Sequence, residues 1–138
     1  MSGGFPAHVV KQAEQPDQTL GQKLLHYAQS LPPLLAALKI SRRVARVRFE
    51  WPDAAGIWAK IRQEEAELRQ ELERPIPDPA RQAAELGDLL FALVNLGRWY
   101  GLDGAQALTE TNLCFARRME ELVSESDSTP LQGRTLEE

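Results

Sequence analysis

Glu64, Glu65, Glu67 and Glu71 fall in one acidic stretch of this 138-residue chain, and Glu85 and Asp88 stand in the next. Spacing gives them meaning. On a helix, which turns about 100° per residue, Glu64 and Glu67 lie only about 60° apart, and Glu85 and Asp88 repeat the same i, i+3 pair. Two such pairs on neighbouring helices can face each other. Converging like charges repel, and the usual relief is proton uptake or a bound divalent cation. Four hard oxygen donors suit Mg²⁺, or Mn²⁺ in its place, and such ions keep waters and take phosphate oxygens as further ligands. The competing reading is a solvated helix face, the ordinary state of Glu-rich helices, and it applies best to Glu64 and Glu67 taken alone. Asp88 resists it. It directly precedes the run LLFALV, where a desolvated carboxylate needs a partner.

Five helical segments can position these groups. A first is expected from about Thr19 to Ser30, stopped by Pro32-Pro33, and a second from about Pro33 to Arg46. The segment from Arg48 to Asp53 breaks the pattern, because the residue before Pro52 avoids helical angles, and Asp53 is a good N-cap. The third helix then spans about Ala54 to Glu73, with Ile57, Ile61, Leu68 and Leu72 as its apolar stripe. Asp78 and Pro79 make the N-cap and first turn of a fourth helix, which runs to about Tyr100. It is apolar nearly all the way round, so it should be buried on several sides, a partner subunit among them. Gly101 closes it and Asp103 can cap a fifth helix, about Gly104 to Val123, with the stripe Leu108, Phe115, Met119 and Leu122. No segment alternates with period two. The expected fold is an all-α antiparallel helical bundle over residues 18–123, between a flexible lead-in (1–17) and a flexible C-terminal tail (124–138).

Composition narrows the function classes. Cys114 is the only cysteine and His8 and His26 are the only histidines, which argues against a disulfide scaffold and against zinc. The longest apolar run is far short of the ~20 residues of a membrane span, so the expected compartment is the cytoplasm. A net charge of −4 argues against a general nucleic-acid binder, although it leaves room for a local basic site. Lys39, Arg42, Arg43, Arg46 and Arg48 form such a cluster. It reads first as a solvated face paired with the acidic helices, and otherwise as a contact for nucleotide phosphates or RNA. Trp51 reads as a core anchor rather than a base-stacking ring. Asn112, within the Leu108/Phe115 stripe, is either a buried structural amide or a ligand contact. Cys114 reads as a surface or interface thiol.

The pattern Glu64-x-x-Glu67, followed by Glu85-x-Gly87-Asp88-Leu-Leu-Phe-Ala-Leu-Val-Asn-Leu96, resembles the MazG-type nucleoside triphosphate pyrophosphohydrolases, most of all the second domain of the two-domain members. The likeness runs from about Leu31 to Val123. It implies an all-α homodimer in which Glu64, Glu67, Glu85 and Asp88 are the catalytic Mg²⁺ ligands. It further implies that Arg118, Asn112 and Lys60 are candidate substrate-binding residues. The implied reaction is hydrolysis of a nucleoside triphosphate to the monophosphate and pyrophosphate. Two positions depart from the family pattern. Gln63 stands where a carboxylate usually precedes the first ligand, and Cys114 replaces a lysine that helps hold the triphosphate. The alternative they motivate is a weakly active or inactive MazG-like module for nucleotide sensing or protein interaction.

Overall fold

The computed structural model describes residues 19–47 and 49–125. The lead-in, most of the expected tail, and Arg48 lie outside them. The helices are α1 (Thr19–Ser30), α2 (Pro33–Arg46), α3 (Ala54–Leu72), α4 (Pro79–Trp99) and α5 (Gly104–Glu125). Every helix end stands within two residues of the expected one, and the described residues contain no strand. The all-α expectation therefore holds.

Local chemistry explains the boundaries. Pro33 opens α2, where a missing N–H costs nothing. Asp53 Oδ1 accepts from the Gly56 N–H at 3.1 Å, and Asp78 Oδ1 accepts from the Arg81 N–H at 3.3 Å, so both expected N-caps are formed. Replacing Asp53 by alanine orphans one of the first N–H groups of α3. A loss of about 1 kcal/mol is expected, read as a lower urea midpoint. Behind α4, Gly101 adopts φ +74°, a conformation that side chains with a Cβ disfavour.

The chain divides into two compact units, Met1–Ala105 and Gln106–Glu138. In the first unit α3 packs along α4, α2 packs against α4, and α1 packs against α2. The apolar core of this unit is small: Ala36 and Leu38 from α2, Val47, Ile57 from α3, and Ala92 and Val94 from α4. Trp51 is half-buried and lies against the first turn of α3, its Cε3 only 2.8 Å from where a Cβ on Gly56 would stand. This fits the core-anchor reading of Trp51. Gly56→Ala must displace the indole, with an expected cost of about 1–3 kcal/mol and a shift in tryptophan emission.

The expected stripe of α3 is only partly right. Ile57 is buried, but Leu72 is 57% exposed, and the other buried positions are Glu64 and Glu71. Burial therefore recurs every seven residues, and two of the three positions are acidic. Glu71 is held by Arg74 at 3.3 Å and by Arg81 at 3.1 Å, which ties the end of α3 to the start of α4. At the other end of the pair, Arg98 forks onto Glu50 with two 2.6 Å bonds. Its Nε also donates to Ser41 Oγ at 2.8 Å and to Asn95 Oδ1 at 3.0 Å, and Ser41 Oγ donates to Asn95 Oδ1 at 2.5 Å. This network joins α2, the segment before α3, and α4.

In the second unit α5 has no buried residue. Leu108 and Phe115 of its expected stripe are 43% and 48% exposed. Asn112 is exposed among the described residues, where the buried-amide reading expected it covered.

Candidate metal centre

Packing α3 along α4 brings Glu64, Glu67 and Glu85 together, one carboxylate oxygen of each lying within 4.8 Å of the others. Glu64 is 1% exposed, and Glu67 and Glu85 are half-buried. The solvated-face reading thus fails for Glu64. The fourth residue, Asp88, is half-buried and falls outside that three-way set, yet it feels the same charges. Burial holds its carboxyl above the usual range, the negative charges of Glu64 and Glu67 push the same way, and Lys60 pulls it back.

Lys60 belongs to this cluster. Its Nζ lies 2.8 Å from Glu64 Oε1 and its side chain is 16% exposed, so it acts first as a counter-charge to Glu64. Sequence reasoning placed Lys60 among substrate contacts and missed this pairing, although the i, i+4 spacing to Glu64 was a signal for it. Gln63, where the family pattern has an acid, donates from Nε2 to Glu67 Oε1 at 3.2 Å. Asn112 and Arg118 lie on exposed positions of α5 in the second unit.

The donor set fits a hard divalent cation. Glu67 Oε2 and Asp88 Oδ2 are both out of reach of solvent and receive no hydrogen bond among the described residues. A buried carboxylate oxygen without a donor is costly, and a cation bound by oxygen ligands removes that cost. Asp88 also supplies a sign for pH dependence. Its folded pKa is raised, so the folded state binds the proton more tightly than the unfolded state. The cost of its charge is fully present above the folded pKa and is relieved as pH falls toward the unfolded value of about 3.9. In chelator-treated protein this residue should therefore contribute rising thermal stability across that window, and Asp88→Asn should flatten the contribution. A profile identical in the two proteins would count against a strained carboxylate here.

Two closely packed helices that bring Glu64, Glu67 and Glu85 together, with Asp88 one helical turn from Glu85, define an all-α protein with a candidate oxygen-donor cation centre. The chain is 34% identical over 143 residues to the nucleoside triphosphate pyrophosphohydrolase/pyrophosphatase MazG of Thermotoga maritima, covering 98% of this chain and 54% of that protein. It is 35% identical over 113 residues to a nucleoside triphosphate pyrophosphohydrolase of Escherichia coli (strain K12), covering 82% of this chain and 43% of the relative. A shorter match, 42% over 57 residues, links it to the uncharacterized protein YabN of Bacillus subtilis (strain 168), covering 40% of this chain and 12% of that protein. The chain spans about half the length of the first two relatives. No protein-family model matches it. The chain is a MazG-like protein.

Proposed function

We propose that the chain hydrolyses nucleoside triphosphates between the α- and β-phosphates, giving the monophosphate and pyrophosphate. Mg²⁺, or Mn²⁺ in its place, would be held by Glu64, Glu67, Glu85 and Asp88. The observation that carries the reading is the meeting of Glu64, Glu67 and Glu85, with Glu67 Oε2 and Asp88 Oδ2 buried and without hydrogen-bond donors among the described residues. The printed names of the relatives support the same chemistry.

When bound, the cation neutralises phosphate charge and activates water for attack on phosphorus. This chain's own residues prepare the place. Lys60 pairs with the buried Glu64 at 2.8 Å and balances its charge. Gln63 engages one oxygen of Glu67 and leaves Oε2 for a ligand. Lys60, Asn112 and Arg118 are proposed as substrate-binding residues, the arginine fork suiting a phosphate.

A homodimer belongs to the proposal, because Leu86, Leu90 and Leu93 recur at helical spacing on α4 and each stays 46–47% exposed. Sedimentation at two protein concentrations tests it. A cytoplasmic location is part of the same reading, and no helix among the described residues is long and apolar enough to cross a membrane.

The deciding assay is pyrophosphate release from a panel of ordinary and modified nucleoside triphosphates, with and without Mg²⁺. Release that requires the ion supports hydrolysis. Tight nucleotide binding without release would instead support the nucleotide-sensing module, which Gln63 at an otherwise acidic position favours.

A further inference from the structure

We propose that the outward strip of α2 is a binding site for the phosphate backbone of single-stranded nucleic acid, independent of base sequence. Helices α1 and α2 contain no Asp or Glu, yet they carry Lys23, Lys39, Arg42, Arg43 and Arg46 in a chain whose net charge is −4. Beyond its first residue, α2 exposes three side chains, and all three are cations: Lys39, Arg42 and Arg46. At about 100° per residue they share an arc of about 60°, bounded by the buried Ala36 on one side and Leu38 on the other.

The expected pairing of this cluster with the acidic helices does not occur at these three residues. Arg69, Arg74, Arg81 and Arg98 each have a carboxylate within 3.3 Å. Lys39, Arg42 and Arg46 make no ion pair or hydrogen bond from their side chains among the described residues. Three like charges on two helical turns repel one another and gain from a polyanion.

Charge and side-chain geometry favour a run of phosphates. Lys39 and Arg46 stand seven residues apart, a helix rise of about 10 Å, so a ligand that meets all three cations must carry several phosphates in a row. Two of the three side chains are arginines, whose planar forks match phosphate oxygens. The exposed side chains of the strip are all cations, with only the half-buried Leu35 among them, so it lacks the exposed apolar centre of a protein interface.

The test is fluorescence anisotropy of a short labelled oligouridylate titrated with the full chain over a range of salt. Binding should weaken with salt at a log–log slope of about −2, the counterions released from three phosphates of a single strand. The triple variant Lys39→Gln/Arg42→Gln/Arg46→Gln should lose about tenfold or more in affinity at low salt and most of the slope. Its helical circular dichroism should be unchanged, since the three heads are exposed, and so should its kcat/KM for nucleoside triphosphates. Failure of the wild type to bind the oligomer overturns the proposal, as does equal binding by the variant. A raised KM for the triphosphate in the variant also overturns it, because the strip then serves the substrate's phosphates. Displacement of the oligomer by polyglutamate but not by unlabelled oligouridylate would assign the strip to an acidic protein partner and reject the nucleic acid.

Discussion

Asp88→Asn is expected to reduce pyrophosphate release by at least about a hundredfold while raising the melting temperature of the metal-free protein. The two effects have one origin. Asp88 sits near the charges of Glu64 and Glu67 with Oδ2 buried and lacking a donor among the described residues, so its charge is a cost until a cation arrives. Asparagine keeps the shape, removes the charge, and can donate to the neighbouring carboxylates. Stability of the empty protein therefore rises. The same change deletes a proposed ligand oxygen, and since even outer-shell partners of metal sites are worth about 10–100-fold, a direct ligand should exceed that range. A merely structural aspartate would lose stability and activity together. Parallel melting curves in chelator and in excess Mg²⁺ supply the decisive pattern: the stabilisation by Mg²⁺ through preferential binding to the folded state should shrink in the variant. Undiminished turnover, or a lower melting temperature in chelator, would reject the role given to Asp88.

The largest loss of stability is expected from Arg98→Ala. Arg98 is 12% exposed in its side chain and Glu50 is 23% exposed, and the guanidinium also serves Ser41 and Asn95. Removing one partner of a mostly desolvated ion pair leaves the other uncompensated, at a cost of about 3–5 kcal/mol. Urea unfolding should show a lower midpoint with an unchanged slope. Glu50→Gln with Arg98 intact should cost less, because the amide oxygen still accepts from the fork. Combining Glu50→Ala with Arg98→Ala should cost less than the sum of the single changes, since the double variant leaves no lone charge. Strict additivity would show that the pair is solvated in solution. Arg98→Lys should recover only part of the loss, because an ammonium cannot hold both Glu50 oxygens in a planar fork.

The sequence already carried most of the architecture, and the reasons are local. Pro32-Pro33, Asp53, Asp78-Pro79 and Gly101 each act through the backbone of their own neighbours, so the helix ends could be read without knowing what packs on what. The meeting of Glu64, Glu67 and Glu85 was legible in part for the same reason, since the i, i+3 spacing of each acid pair is a property of its helix alone, whereas Asp88 falls outside that set. What escaped was long-range. Nothing near Glu50 in the chain announces Arg98, which lies 48 positions away, and no local rule marks Ser41 and Asn95 as partners. The stripe on α3 misled because apolar residues were assumed to lie deepest, whereas Glu64 and Glu71 take two of the three buried positions. The basic cluster was seen, but only coordinates separate cations with carboxylate neighbours from Lys39, Arg42 and Arg46.

Because Glu64 and Glu85 stand only twenty-one positions apart on two consecutive helices, the donor set closes over a short loop rather than across the whole chain. Short closures are quick and cost little entropy, so these donors are positioned to assemble early, before contacts distant in sequence are made. Cation uptake during refolding should then track formation of this hairpin and precede consolidation of the rest of the molecule.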